Sequence, residues 1–231
     1  MSEKTGTIAV ADMENKRIQM FSCDGNFLRE IVLNDKPSTL AFTEAGDLLA
    51  HIAKDDKLCL FTEGGQFLRH ISDSHLFLSL HLSVGSDGRI ITCDLADKKI
   101  KVLSPDGKDF LLSFSAPGCD SHPWCAVYHQ DKFFVSYPFA YCVKVFNNAG
   151  VYLYDIGSEG SGEGQLLLPY GLEVDKSNRL IVCDPGNKRL QLFTLEGKFD
   201  TKVDGQFFDS TGLRYIATSS RGHLFVTDVV V

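Results

Sequence analysis

The feature that most constrains this chain is a repeat. Five segments align without gaps: "ADMENKRIQMFSCDG" (11–25), "HIAKDDKLCLFTEGG" (51–65), "CDLADKKIKVLSPDG" (93–107), "SYPFAYCVKVFNNAG" (136–150) and "CDPGNKRLQLFTLEG" (183–197). An aromatic or leucine recurs at Phe21, Phe61, Leu103, Phe146 and Phe193, at intervals of 40, 42, 43 and 47 residues. A glycine follows four positions later each time, at Gly25, Gly65, Gly107, Gly150 and Gly197. Self-similarity at such a period means stacked supersecondary units, each unable to bury its apolar face alone.

The content of each unit is β. An apolar run precedes the aligned motif: "GTIAVAD", "GDLLAHI", "GRIITCD", "DKFFVSY", "NRLIVCD" and, a sixth time, "GHLFVTD". Inside "RIQMF", "KIKVL" and "RLQLF" apolar and polar residues alternate, which is the strand period. After the glycine comes another short run ("NFLREI", "QFLRHI", "VYLYDI"), and one more leads into the next cycle ("STLAFTEAG", "YGLEVDKSN"). Four short strands in a unit of this length are a propeller blade. The expected fold is an all-β propeller over 1–231, with units at about 6–36, 37–72, 78–115, 124–157, 169–204 and a partial 211–231. Six copies of the second strand stand against five of the others. The propeller therefore has five closed blades or six with incomplete ends, and closure is favoured because an open edge exposes unpaired backbone.

The stretches "IAVADMENKRIQMF…DG" and "GSEGSGEGQLLLPYGLEVDKSNRLIVCDPGNKRLQLF…EG" resemble NHL repeats. The resemblance covers nearly the whole chain. It implies four-stranded NHL-type blades like those at the C-terminus of tripartite-motif (TRIM) ubiquitin ligases, where the propeller recognises substrate proteins or RNA. The chain carries no RING or B-box cysteine/histidine array, so it resembles the recognition module alone. One unit departs from the pattern: where others read "DMENKR" or "DPGNKR", the fourth reads "YPFAYC".

Charge and cysteine usage narrow the class. The formal net charge is -7, the opposite of the basic excess a phosphate-neutralising protein needs. Seven cysteines are scattered, and Cys93 and Cys183 sit inside apolar runs, which reads as free thiols in a reducing compartment. The start lacks the apolar core of a signal peptide. The expectation is a cytoplasmic chain without a membrane anchor or a cofactor.

Five groups of residues are candidates for function. The glycines of "DIGSEGSGEGQ" could cradle a phosphate, but no G-x-x-x-x-G-K-[ST] pattern is present and Glu159 and Glu163 repel anions, so they read as a connector between blades. Cys119, His122, Cys125 and His129 are zinc-type ligands at C-x2-H-x2-C-x3-H spacing. A strand would separate Cys125 from His129 by roughly 13 Å at ~3.3 Å per residue, too far to share one ion. Some related propellers are metal-dependent lyases or hydrolases. The ring position such a site needs reads Ala11, His51, Cys93, Ser136, Cys183 and Thr227, with a single histidine, while the recurrent Asp12, Asp94, Asp184 and Asp228 read as turn formers. Lys16, Arg17, Lys54, Lys57, Lys98, Lys99, Lys188 and Arg189 emerge on one face and would serve RNA, but acids including Asp55 and Asp56 accompany them. Finally, Tyr137, Phe139 and Tyr141 replace the polar turn on that face, with Trp124, the single tryptophan, just before the same unit. Exposed aromatics anchor protein interfaces. The expected role is a non-catalytic scaffold binding a protein through Trp124, Tyr137, Phe139 and Tyr141 with polar contacts from Arg17 and Arg189. The alternatives are an RNA-binding module and a metal-dependent propeller enzyme.

Overall fold

A computed structural model describes all residues except 3, 54–56, 72–78, 205–211, 220–221 and 229–231. The charged turn residues Lys54, Asp55 and Asp56 thus lie outside the described residues, and of Lys57 only the backbone is described. The chain divides into two compact units, 1–113 and 114–231.

The first unit opens with a three-stranded sheet: β1 (Ile8–Asp12), β2 (Arg17–Phe21) and β3 (Phe27–Val32). Two four-stranded blades follow. One is β4 (Pro37–Phe42), β5 (Leu48–Ile52), β6 (Lys57–Phe61) and β7 (Phe67–Ile71); the other is β8 (Ser79–Val84), β9 (Ile90–Asp94), β10 (Lys99–Leu103) and β11 (Phe110–Phe114). The second unit holds β12 (Ala126–His129), β13 (Lys132–Tyr137), β14 (Cys142–Asn147) and β15 (Tyr152–Ile156), then β16 (Leu172–Val174), β17 (Arg179–Asp184), β18 (Arg189–Thr194) and β19 (Phe199–Val203). It ends in a two-stranded sheet, β20 (Leu213–Thr218) and β21 (Leu224–Asp228). Within every sheet the strands bond in chain order, the four-stranded meander of a propeller blade. Among the described residues the first sheet lacks the strand that opens a unit, and the last holds only the first two.

Burial follows strand position. The second strand of a blade is buried along nearly its whole length, as in β9, β13 and β17, because both its faces meet protein. That is why "RIITCD" and "RLIVCD" read as unbroken apolar runs. The fourth strand is mostly exposed; in β3, β7, β11 and β15 it keeps one buried residue near its end, Ile31, Ile71, Phe114 and Ile156, and in β19 none. A register shift separates the third strand from the fourth at the shared aromatic. There Phe21, Phe61, Phe146 and Phe193 meet Phe27, Phe67, Tyr152 and Phe199 edge to face, at 5.7–6.2 Å between centroids.

The repeat glycine has a packing reason as well as a turn reason. Gly107 has φ +70, and a Cβ there would lie 2.1 Å from Cγ2 of Ile71, the buried end of the preceding blade's fourth strand. Gly150 repeats this against Phe114, with φ +76 and the nearest ring atom at 2.7 Å. Gly65 and Gly197 face Ile31 and Ile156 in the same way. Gly65, Gly107, Gly150 and Gly197 thus each receive the apolar end of the preceding fourth strand, whereas Gly25 meets no atom within 4 Å.

Candidate interaction face

The turn between second and third strands is built alike in both units. Residue four past the strand-ending position takes a left-handed backbone: Lys16, Lys98, Tyr141 and Lys188 have φ between 51 and 56. In the β12–β15 and β16–β19 blades the turn is one 3-10 turn, Pro138–Ala140 and Pro185–Asn187, closed by the N–H of Tyr141 or Lys188 donating to the proline carbonyl. The backbone is shared, and the side chains it carries differ.

In the β16–β19 blade the turn is a latch. Asp184 is fully buried; its carboxylate accepts from the Leu167 N–H (2.7 Å), Asn187 Nδ2 (2.9 Å), Arg189 Nε (2.8 Å) and Gln191 Nε2 (3.2 Å). Arg189 then donates to the carbonyls of Ser161 (2.9 Å), Gly162 (2.8 Å) and Gln165 (2.8 Å). Asn187 reaches the Gly160 carbonyl at 2.9 Å. The glycine-rich stretch is therefore a connector held down by a guanidinium that reads its carbonyls. A Cβ on Gly186 would lie 2.5 Å from Leu167, so the connector also lies flat against the turn. This corrects one expectation: Arg189 is 5% exposed and its donors are spent on the fold, so it presents no contact to protein or RNA.

The other turns bond more locally. Arg17 donates Nε to Asp12 (2.7 Å) and Nη1 to Glu30 (2.8 Å) and remains partly exposed. The Arg17 hydrogen bond is the main cause that holds the Asp12 carboxyl below its usual range. Asp94 is buried and pairs with Lys101 Nζ at 2.6 Å. Burial alone would lower the Lys101 ammonium, but the Asp94 hydrogen bond and charge prevail and raise it. Asp12, Asp94 and Asp184 are turn and pair formers, while the side chain of Asp228 lies outside the described residues. Lys16, Lys99 and Lys188 are exposed, and Lys98 is half-buried.

The β12–β15 turn has neither carboxylate nor guanidinium. Tyr137, in the aspartate's place, is 1% exposed, so it belongs to the interior and not to a docking surface. The residue preceding a buried 3-10 proline points inward, as Asp184 does in the next blade. Phe139 is 65% exposed. Tyr141 is half-buried at the left-handed cap. Trp124 is half-buried against the core cluster around Cys125, Phe134 and Leu172. Its ring meets Tyr170 edge to face at 4.6 Å, and the Arg214 guanidinium lies 4.2 Å from the Tyr170 centroid on the cation–π side of the stack. Tyr170 and Arg214 were not legible as partners of Trp124, because the contact joins the starts of separate blades.

The remaining candidates are spread through the structure. Cys125 is fully buried, with Sγ accepting the Leu172 N–H at 3.3 Å, while His129 at the far end of β12 bonds Asn178 at 2.8 Å. Cys119 and His122 are half-buried in the preceding loop. Among the described residues no group of three or more His, Cys, Asp or Glu is arranged to hold a metal. At the ring positions, His51 is buried with Nδ1 2.6 Å from Ser38 Oγ, and Ser136 Oγ donates to the Tyr170 carbonyl at 2.6 Å. Cys93 and Cys183 carry thiols raised by burial.

Fold and repeat together define the class: an all-β chain of four-stranded propeller blades whose repeat is similar to NHL repeats. The sequence is similar to that of the E3 ubiquitin-protein ligase TRIM71 of Rattus norvegicus, 29% identical over 122 residues, which is 52% of this chain and 13% of the relative. Protein lin-41 of Caenorhabditis elegans is 48% identical over 46 residues, 20% of this chain and 4% of lin-41. No family model matches. Among solved structures, a streptogramin B lyase superposes with TM-score 0.75 at 14% identity, covering 98% of this chain and 74% of that one. Virginiamycin B lyase from Staphylococcus aureus gives TM-score 0.73 at 15% identity, covering 99% and 76%. At those identities the lyases share the fold. Among the described residues no helix is long and apolar enough to cross a membrane.

Proposed function

We propose that this chain is a non-catalytic binding module, used for substrate recognition in a ubiquitin-ligase setting, and that it captures a protein partner through the β12–β15 turn. The observation that carries this reading is Phe139: a large aromatic side chain, 65% exposed, on a turn whose backbone is fixed by a buried proline and a left-handed cap. A rigidly displayed aromatic is the typical anchor of a protein interface. Tyr141 flanks it and Trp124 supports the blade beside it; Arg17, on the β1–β2 turn, keeps a partly exposed guanidinium that serves as a separate polar contact. Similarity to the ligase TRIM71 supplies the ubiquitination context. Affinity capture with the intact chain, compared with Phe139→Ala and Tyr141→Ala, tests the site. Specific partners are expected to fall away in both variants; an unchanged partner list overturns it.

Two competing readings have their own tests. RNA binding through Lys16, Arg17, Lys98, Lys99 and Lys188 predicts an affinity that falls steeply with salt. The fold shared with streptogramin B and virginiamycin B lyases motivates an assay of streptogramin B cleavage with and without divalent metal. No turnover is expected, and turnover would replace the binding reading.

A further inference from the structure

The third strands open on Arg17, Lys57, Lys99, Cys142 and Arg189, and two residues on they carry Gln19, Cys59, Lys101, Lys144 and Gln191. This second position holds an amide or an ammonium in four strands and a thiol in β6. It meets the fourth strand in register: Gln19 faces Glu30, Lys144 faces Asp155, Gln191 faces Lys202, and Cys59 faces His70. In the β12–β15 blade the pair is ionic, with Lys144 Nζ held by both oxygens of Asp155 at 3.0 Å. In the β4–β7 blade the pair is a thiol and an imidazole, and Cys59 Sγ lies 3.4 Å from His70 Nδ1. At that distance the nitrogen either accepts the thiol proton or, once it has taken it, donates to the thiolate. The Phe67 ring packs on the His70 ring at 5.0 Å between centroids and holds it over the sheet. His70 is exposed, whereas Cys59 is 6% exposed and belongs to the apolar cluster that includes Ile18, Met20 and Leu48.

We propose that Cys59 and His70 form a thiol–imidazole pair that makes Cys59 a site of reversible oxidation by hydrogen peroxide, its ionised form being the counterpart of the Lys144–Asp155 pair. A nucleophile within hydrogen-bond reach of a base is the arrangement this chemistry needs. His70 Nδ1 takes the Cys59 proton, and the thiolate is the reactive species. Its sulfur attacks one oxygen of the peroxide. An S–O bond forms, the O–O bond breaks, and the departing hydroxide takes the proton from the imidazolium and leaves as water. Sulfur is oxidised to the sulfenic acid and the peroxide is reduced. A small thiol such as glutathione reverses the change. One equivalent condenses with the sulfenic acid to a mixed disulfide and releases water; a second exchanges with it, leaves as the oxidised disulfide and restores the Cys59 thiol.

The test uses the intact chain without a partner. The reduced, folded protein is treated with increasing hydrogen peroxide, and the excess is removed with catalase. The protein is then denatured with dimedone, which marks sulfenic acid, and N-ethylmaleimide, which marks thiol. Mass spectrometry reads each of the seven cysteines. Cys59 is expected to take dimedone at lower peroxide than Cys23 and Cys119, which are the half-buried thiols, so that reactivity runs against exposure. Glutathione added before denaturation should return Cys59 to the maleimide-marked form. His70→Asn keeps a hydrogen-bonding side chain at an exposed position but takes up no proton, and it should slow the oxidation of Cys59 by about a hundredfold. Oxidation of Cys23 or Cys119 while Cys59 stays a thiol overturns the proposal, as does a Cys59 rate in His70→Asn within twofold of the wild type. The wild-type ranking decides even if the variant fails to fold, and it is independent of whether Phe139 binds a partner.

Discussion

Arg17, Cys142 and Arg189 stand at one register position and do different work, so the position alone does not set their importance. Arg189 lies beside a fully buried carboxylate and ties down three carbonyls. Removing it leaves Asp184 buried without its cation, which costs about 3–5 kcal/mol. Arg189→Ala is therefore expected to lower the urea midpoint sharply and expose 157–169 to protease. Arg189→Lys should recover little, because a single ammonium cannot span those acceptors. Arg17→Ala, at a partly exposed pair, should shift the midpoint far less. Equal effects of the two alanine variants would refute the latch. Thiol burial gives a second prediction. Burial is the main cause that pushes the Cys142 thiol from 9.0 to about 12, with the Asp155 charge adding to it. The folded state therefore holds this proton more tightly than the unfolded chain does. The stabilisation is complete below about pH 9 and is lost as pH rises toward 12. Urea midpoints measured under reducing conditions should fall across that window, less steeply in Cys142→Ala; identical slopes would show that Cys142 does not contribute.

At the scale of the element, the repeat unit is a blade plus the glycine that receives its predecessor. Gly107→Ala meets both a left-handed backbone and the Ile71 methyl, which together cost about 2–4 kcal/mol. Gly25 has φ +80 but no atom within 4 Å of a Cβ, so Gly25→Ala should cost only the backbone term of about 1 kcal/mol. Ile71→Ala should also reduce the penalty of Gly107→Ala, and a double-mutant cycle in urea reads that coupling directly. Additive effects would mean the glycine serves the turn alone. This element marks the limit of what the sequence discloses. The glycine's recurrence and the strand alternation are local, so blades and turns were legible. Its contact with Ile71 crosses from one blade to the next and leaves no local trace. The same limit explains Tyr137 and Arg189: an aromatic turn and a basic turn both read as exposed faces. Their burial depends on what packs over them, and for Arg189 that is a connector distant in sequence.

For the molecule as a whole, charge and hydrophobicity point to different partners, and a titration with salt separates them. The chain carries 30 acidic residues against 23 Lys and Arg. Bases at and beside the turns are in part already engaged, as Arg17 is by Asp12 and Glu30, Lys101 of β10 by Asp94 and Asp97, and Arg189 by Asp184. A polyanion gains counterion release only from bases that face solvent, and it must also approach a surface of net charge -7. Phe139 works by a different physics, since desolvating an aromatic ring is nearly indifferent to ionic strength. Binding of a captured protein partner is therefore expected to change less than about threefold between 50 and 200 mM salt, whereas a site neutralising several phosphates loses about a thousandfold or more over that range. The measurement is an affinity series by fluorescence anisotropy on the intact chain, run in parallel on Phe139→Ala and on a Lys98→Ala, Lys99→Ala double variant. A steep salt slope flattened by the lysine variant would assign the turn face to nucleic acid. A flat slope with binding abolished by Phe139→Ala assigns it to protein.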